Sequence, residues 1–169
     1  MKVLFVCTAN ICRSPSAEAL ARADGPADVE FSSAGTHARD GEPINPEMVA
    51  ALPEGLDTSA FRSRRLTTAL LDDADLVVTM EAAHRTFILD DHPAMFRKVF
   101  TLGQLAKAVE QAPDGLGREA LLTHLGATRR HADPALDVPD PYRRGIEAAS
   151  GCVASLRDLL RAVLPALSR

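Results

Sequence analysis

Residues 3–15 carry the sequence VLFVCTANICRSP. Its first four residues form an apolar run with the length and branched side chains of a buried strand, and a helical pattern follows Pro15. A strand, a tight loop and a helix N-terminus in this order direct backbone N–H groups and the positive end of a helix dipole at one point. The segment therefore predicts an anion-binding loop with a thiol, Cys7, at its floor and a guanidinium, Arg13, at its rim.

The rest of the chain alternates strand patterns with helical patterns, which predicts a parallel sheet covered on both faces. The strands are predicted at 2–6, 29–32, 75–80 and 99–101. The helices are predicted at 15–23 (with Ser14 as N-cap), 45–54, 67–73, 81–89, 102–111, 118–125 and 144–167, the last with Ile146 on its apolar face. The expected fold is α/β: a single domain over 1–169 with three layers, a four-stranded parallel sheet and the phosphate-binding loop after strand one. If strand one is central, this loop lies at the switch point, where ligands bind in such sheets.

Composition narrows the classes of function. The net charge is −4 and the chain holds no basic block, so nucleic-acid or membrane binding gains no support. The sequence shows neither an apolar stretch long enough to span a bilayer nor a signal-peptide pattern. Three cysteines suggest a reducing compartment and a reactive thiol rather than a disulfide framework, so we expect a cytoplasmic protein.

The residues of the loop suit attack on phosphorus. A helix N-terminus and Arg13 favour the thiolate of Cys7, and a guanidinium fork matches two phosphate oxygens. Five residues separate Cys7 from Arg13, enough chain to wrap a phosphate with successive N–H donors. Asn10 is expected to take a left-handed conformation and to stiffen the loop through its side chain. Ser14 is expected either to cap the helix alone or also to donate to the thiolate.

The loop resembles the active-site signature of the low-molecular-weight protein tyrosine phosphatases, Cys-x-Gly-Asn-x-Cys-Arg-Ser. Three further segments are similar to that family: 33–38 after strand two, 75–81 at strand three, and the Asp-Pro-Tyr stretch at 140–142. The resemblance covers residues 2–101 and 137–167. Residues 102–136 look longer than the family requires.

The resemblance implies a mechanism and a site. Cys7 matches the nucleophile that forms a cysteinyl-phosphate, Arg13 the phosphate-binding arginine, and Asp140 the general acid that then acts as base. Independently of the family, the prolines that flank Asp140 suit a rigid proton donor, whereas no proline follows Asp137. Tyr142 is expected to stack on a substrate ring. The remaining substrate-binding residues are expected in the loop itself: Thr8, Ala9, Asn10, Ile11, Cys12 and Ser14.

The resemblance also implies the substrate and the partners of the protein. The expected substrate is a tyrosine-phosphorylated protein, and bacterial relatives often pair with a tyrosine kinase. The expected enzyme needs no cofactor, and the five histidines show no metal-ligand spacing with the cysteines.

Ala9 and Cys12 raise separate questions. Ala9 stands where the family has glycine. If that position needs a positive φ, alanine costs about 1–2 kcal/mol, with weakened or unusually selective activity; if it needs only a close approach to phosphate, the methyl group fits. Cys12 is either a small packed hydrophobe or the partner of Cys7 in a protective, reversible disulfide.

Three alternatives use the same scaffold. A thiol-coupled arsenate reductase needs downstream cysteines, and only Cys152 remains. A protein arginine phosphatase resembles the loop but has Thr at the position of Ile11. A catalytically weak phosphotyrosine-binding protein is the third, motivated by Ala9.

Overall fold

The computed structural model describes residues 1–168, and its strands form one parallel sheet. The order across the sheet is β2-β1-β3-β4. This architecture confirms the predicted fold class. The strands are Lys2–Cys7 (β1), Glu30–Gly35 (β2), Leu76–Thr79 (β3) and Val99–Thr101 (β4).

Helices connect the strands and close the chain. The α-helices of the described residues are Arg13–Asp24 (α1), Pro46–Ala51 (α2), Thr68–Asp73 (α3), Ala82–Asp91 (α4), Leu102–Glu110 (α5), Arg118–Thr128 (α6) and Gly145–Val163 (α7). Short 3₁₀ segments lie at Pro93–Arg97, Pro134–Leu136 and Leu164–Ser168. No helix within residues 1–168 has both the length and the hydropathy needed to cross a bilayer.

The sheet is buried on both faces because alternate side chains of each strand enter different cores. On β1, Val3, Phe5 and Cys7 belong to the larger core, which includes side chains of α1, α5 and α7. Leu4 and Val6 belong to the smaller core, with Leu71 of α3 and Ile88 of α4. Each core lies between the sheet and the helices on one of its faces, which gives the predicted three layers.

The position of β1 determines where the loop after it lies. β1 pairs with β2 on one side and with β3 on the other. Connections from β1 and from β3 therefore leave in opposite directions across the sheet, and residues 8–12 lie at this switch point. The predicted location of the loop is confirmed.

The start of α1 differs from the prediction. The helix begins at Arg13, and its N-cap is Cys12, whose side chain makes no capping hydrogen bond. Ser14 is therefore not the N-cap; its hydroxyl lies inside the first turn and bonds to the loop instead. Pro15 sits at the third helical position rather than the first, which is tolerated because N–H groups of the first turn have no partner within a helix.

The last helix also differs from the prediction. It ends at Val163 and continues as a 3₁₀ segment that contains Pro165, which cannot donate the backbone bond of a regular helix. Ile146, predicted on the apolar face, is 49% exposed in the first turn of α7. The buried face begins at Ala149 and includes Val153, Leu156 and Leu160.

Candidate active site

A pocket of about 220 Å³ opens at the loop between β1 and α1. Eight of the ten residues predicted for the site line it, although they come from two distant parts of the chain. They are Cys7, Thr8, Ala9, Ile11, Cys12, Arg13, Asp140 and Tyr142. The other two, Asn10 and Ser14, are fully buried beside the loop. The sequence prediction thus names residues that the structure brings together.

The backbone N–H groups of the loop are free in the described part of the chain, whereas most of its carbonyls are already paired. The carbonyls of Cys7, Thr8, Ile11 and Cys12 accept hydrogen bonds from other backbone N–H groups. In residues 1–168, no N–H group of residues 8–12 donates to a protein acceptor. A run of free N–H groups at the start of α1 forms a binding site for an anion.

Asn10 holds the loop in shape, as predicted. Its φ is 57°, in the left-handed region. Its Nδ2 donates to Ser14 Oγ at 2.9 Å and to Ser33 Oγ at 2.8 Å, and its Oδ1 accepts from the N–H of Arg64 at 2.9 Å. Asparagine suits this position because it tolerates a positive φ and its amide can both donate and accept.

Ala9 does not carry the strain that the sequence suggested. Outside glycine, positive φ values in residues 1–168 occur only at Asn10 and Arg143. Of the two alternatives for position 9, the conformational penalty is therefore absent. A catalytically weak binding protein was suggested only by this penalty at Ala9, so that alternative loses its support.

The Cys7 thiol ends β1 and meets a single side-chain partner. Cys7 Sγ and Ser14 Oγ are 3.0 Å apart, and either atom can donate. Asn10 Nδ2 also donates to Ser14 Oγ, so the one proton of that hydroxyl is left for the Cys7 sulfur or for the Ala34 carbonyl, which lies farther away at 3.4 Å. The structure places Ser14 within hydrogen-bonding distance of Cys7, and its donation to the thiolate stays a prediction, whereas its other predicted role as helix cap is wrong.

Arg13 is 2% exposed, and most of its guanidinium is fixed by the protein. Nη1 donates to Glu81 Oε1 and, at 3.0 Å, to the carbonyl of Val138. Nη2 lies 3.3 Å from Asp140 Oδ1. Nε has no protein partner in the described residues. A buried cation with a free N–H group beside a nest of amide donors is poised for a further anion.

Glu81 and His84 join this cluster, although neither was predicted from the sequence as a site residue. His84 Nε2 is 3.6 Å from Glu81 Oε2 and 2.8 Å from Thr8 Oγ1. Burial, partly offset by the Glu81 charge, lowers the pKa of His84 to about 4, so this imidazole is neutral near pH 7. Both residues follow β3 at its carboxyl end, which is the only sequence signal that points to them.

Two aspartates follow 3₁₀ segment Pro134–Leu136, and only one reaches the pocket. Asp137 Oδ1 accepts from the N–H of Ala82 at 2.8 Å, at the start of α4, and burial raises the pKa of Asp137. Asp140 lines the pocket beside Arg13. The prediction that distinguished Asp140 from Asp137 agrees with this placement.

Tyr142 stands at the edge of the pocket. It is 43% exposed, and the Arg143 guanidinium lies 5.1 Å from the centre of its ring. The partly buried Ile11 also lines the pocket. An aromatic and an aliphatic side chain therefore provide apolar walls above a polar floor.

A buried carboxylate supports the loop from behind, and it was also missed. Glu18 Oε2 accepts from Ser33 Oγ at 2.6 Å, and Ser33 Oγ accepts from Asn10 Nδ2. A chain of hydrogen bonds thus connects Glu18 to Cys7 through Ser33, Asn10 and Ser14. Its signal in the sequence was weak because Glu18 lies on a helix, where a carboxylate is usually solvated.

The other two cysteines are buried thiols. Burial, reinforced by the Cys7 charge, raises the pKa of Cys12 to about 12, and burial likewise raises the pKa of Cys152 to about 12. Cys152 lies on the buried face of α7. The protective disulfide of Cys7 with Cys12 stays a hypothesis; both thiols are free in this structure. Residues 1–168 hold no group of three or more side chains suited to a metal ion.

The fold and this pocket define a doubly wound α/β protein with a cysteine and an arginine in an anion-binding loop. Residues 2–116 match the sequence model of the family described as low molecular weight phosphotyrosine protein phosphatase, and the chain belongs to that family.

Relatives extend the similarity over the whole chain. A probable low molecular weight protein-tyrosine-phosphatase, EpsP, of Ralstonia solanacearum is 31% identical over 164 residues, which cover 96% of this chain and 93% of the relative. The crystal structure of a low molecular weight protein tyrosine phosphatase from T. tengcongensis is 31% identical, with a TM-score of 0.77 and 98% coverage of both chains. The YwlE arginine phosphatase from Geobacillus stearothermophilus is 28% identical, with a TM-score of 0.75, 97% coverage of this chain and 90% of its own.

Proposed function

We propose that this protein hydrolyses phosphotyrosine on proteins through a cysteinyl-phosphate intermediate. The observation that carries the proposal is the convergence of Cys7, Arg13 and Asp140 on one pocket whose loop N–H groups are free. Membership of the phosphatase family supports the same reaction.

In the first step the Cys7 thiolate attacks phosphorus, and a P–S bond forms as the P–O bond to tyrosine breaks. The N–H groups of residues 8–12 and Arg13 bind the phosphoryl oxygens and stabilise their charge in the transition state. Asp140 gives its proton to the departing tyrosyl oxygen. Both residues line the same pocket, where the Asp140 side chain is about half exposed and Cys7 is buried, so we expect the acid on the solvent side of a bound phosphoryl group and the nucleophile below it.

In the second step water attacks the phosphoryl group of the cysteinyl-phosphate. The Asp140 carboxylate takes a proton from this water as the new P–O bond forms and the P–S bond breaks. The Cys7 sulfur leaves as a thiolate, and the Ser14 hydroxyl, 3.0 Å from Sγ, donates a hydrogen bond to it. Cys7 then stands ready for another substrate.

The walls of the pocket favour an aromatic phosphoester. Ile11 and Tyr142 offer apolar surface to a flat ring, and aromatic pairs add about 0.5–1.5 kcal/mol beyond the burial of area. Phosphoarginine would bring a cationic guanidinium group instead, which gains less from an isoleucine wall.

Protein arginine phosphatase activity is the second candidate, because more than one solved relative is an arginine phosphatase. The two activities are separated by comparing kcat/KM for phosphotyrosine and phosphoarginine peptides of the same sequence. The proposal expects the phosphotyrosine peptide to be preferred in the wild type, and Ile11→Thr to reduce that preference, with Ile11→Val as matched control. A wild-type preference for phosphoarginine would replace the proposal by this alternative.

The nucleophile is tested with p-nitrophenyl phosphate. Cys7→Ser should abolish turnover while phosphate still binds the loop, and Cys12→Ser should retain turnover. Surviving activity in Cys7→Ser would contradict covalent catalysis through Cys7.

We also propose that the physiological substrates are tyrosine-phosphorylated proteins of the bacterial cytoplasm, among them a tyrosine kinase. The reduced Cys7 that the reaction needs supports a cytoplasmic setting. A pulldown with Cys7→Ser and Asp140→Ala should capture phosphotyrosine proteins that vanadate releases. Capture of proteins without phosphotyrosine, or recovery of the enzyme outside the cytoplasmic fraction, would count against this proposal.

A further inference from the structure

A second pocket, of about 480 Å³, lies between α5 and α6. It shares none of its lining residues with the pocket at Cys7. Much of its α6 side lies beyond the range that the family model matches, which ends at residue 116. Basic side chains dominate the lining: Lys107, His124, Arg129, Arg130 and His131, against a single carboxylate, Asp133.

None of the three permanent cations in this lining, Lys107, Arg129 and Arg130, forms an ion pair within residues 1–168. The Asp133 carboxylate is hydrogen-bonded within its own turn, where Oδ1 accepts from the N–H of Ala135 at 3.0 Å. The Arg129 guanidinium also has protein contacts: Nη1 donates to the carbonyl of Val99, and the group lies 5.1 Å from the centre of the Phe96 ring. Lys107 and Arg130 make no ion pair with any residue of the described chain. The pocket therefore holds uncompensated positive charge.

Gln104 supplies an unsatisfied acceptor in the same pocket. The residue is only 8% exposed, and its Nε2 donates to the carbonyl of Arg130 at 2.6 Å. That bond fixes the orientation of the amide, since a carbonyl cannot accept from Oε1. Oε1 is buried and has no protein partner within residues 1–168. A buried acceptor without a donor costs about 1–3 kcal/mol, and a ligand hydroxyl that reaches Oε1 after a small shift of the side chains over it would recover this cost.

We propose that this pocket binds the phosphomonoester of a small hydroxylated molecule, such as a sugar phosphate. Lys107 and Arg130 bind the phosphate, and a ligand hydroxyl donates to Gln104 Oε1. The pocket lies in the size range of small-molecule sites. A phosphate matches the two free cations better than a carboxylate does, because it carries more charge and more acceptor oxygens.

The ligands that test the proposal are glucose 6-phosphate, glucuronate, glucose and inorganic phosphate. Calorimetric titration uses Arg13→Ala protein, whose loop has lost its phosphate-binding arginine, and Cys7→Ser protein in parallel. Glucose 6-phosphate should bind Arg13→Ala with one site and at least tenfold more tightly than glucuronate or glucose. In Cys7→Ser protein, glucose 6-phosphate should bind at two sites, the loop after β1 and the second pocket. This titration tests the proposal even if the Arg13→Ala protein does not fold.

Variants of the pocket assign the binding. The double variant Lys107→Ala, Arg130→Ala should bind glucose 6-phosphate at least tenfold more weakly. The control Arg157→Ala, Arg161→Ala removes two exposed charges of α7 and should bind it as the parent protein does. Gln104→Leu removes both the Oε1 acceptor and the Nε2 bond to the Arg130 carbonyl, so it should weaken the binding of glucose 6-phosphate more than the binding of inorganic phosphate. Absence of the second site in Cys7→Ser, equal binding of glucuronate, or binding unaffected by the Lys107 and Arg130 substitutions would overturn the proposal.

Discussion

Glu81 Oε1 accepts a hydrogen bond from Arg13 Nη1, which joins residues 68 positions apart in the sequence. Arg13 is almost fully buried, and a buried cation is stable only where its donors are paired. The Val138 carbonyl takes a second bond from the same nitrogen. Together these two contacts hold the guanidinium next to the loop and leave Nε free.

The contact predicts that Glu81 positions Arg13. Glu81→Gln should lower kcat/KM for p-nitrophenyl phosphate about ten- to hundredfold, since a hydrogen bond to a charged group contributes about 1.5–3 kcal/mol. Glu147→Gln, which neutralises an exposed carboxylate of α7, is the matched control and should keep wild-type kinetics. Equal kinetics for the Glu81→Gln and Glu147→Gln variants would show that Arg13 needs no such support.

His84 predicts a pH-dependent stability. Its folded pKa of about 4 lies below the ordinary value of 6.5, chiefly through burial. The unfolded chain therefore binds a proton that the folded chain excludes, so the contribution of His84 is complete above about pH 6.5 and is lost as the pH falls toward 4. The loss amounts to at most about 3 kcal/mol.

Urea unfolding of the wild type and His84→Gln at a series of pH values measures this loss. The free energy of unfolding of the wild type should fall more steeply between pH 6.5 and 4 than that of the variant. His131→Gln, at an exposed histidine, should follow the wild type. Parallel curves for the wild type and His84→Gln would contradict the neutral state of the buried imidazole.

The loop packs so closely against Gly35 that no side chain fits at this position. A Cβ at this position would lie 2.6 Å from the carbonyl oxygen of Thr8 and 2.9 Å from the N–H nitrogen of Asn10, both backbone atoms. Gly35→Ala should therefore displace the loop, lowering both the thermal midpoint and phosphatase activity. Gly151→Ala is the control, because a Cβ there meets nothing within 4 Å and should stabilise α7 by about 0.5–1 kcal/mol. Wild-type activity in Gly35→Ala would show that the loop tolerates the shift.

Two substitutions at Asn10 distinguish the role of its left-handed backbone from the role of its side-chain hydrogen bonds. Asn10→Gly keeps the freedom to adopt φ 57° and loses the side-chain bonds, whereas Asn10→Ala loses both. Both variants should lose kcat, and alanine should be less stable than glycine by about 1 kcal/mol, the cost of a left-handed conformation. Thermal unfolding with steady-state kinetics checks this order. Equal stability of the two variants would mean that φ at position 10 is not constrained.

Local patterns explain why the sequence predicted the fold and most of the site. The apolar run before Cys7, the loop to Arg13 and the proline-flanked Asp140 are each contained within a few residues. Asn10 was predicted to be left-handed from its residue type alone. The family resemblance then linked Asp140 to the loop, which no local pattern does.

The supporting residues escaped prediction because their roles exist only in the folded chain. Glu81 and His84 gain theirs when β3 pairs beside β1, and Glu18 when α1 packs against β2. Ser14 has a serine's ordinary preference for a helix cap, but the contact with Cys7 outweighs it. Ile146 fits the apolar spacing of α7, yet it precedes the part of the helix that reaches the core.

The covalent intermediate on Cys7 is the central claim, and rapid acid quench during turnover of a phosphotyrosine peptide tests it most directly. Mass spectrometry of the quenched wild type should find one phosphoryl group, mapped to Cys7, and the release of the first equivalent of tyrosine peptide should precede the steady state. Turnover with the phosphoryl group on another residue, or full activity in Cys7→Ser, would contradict the account.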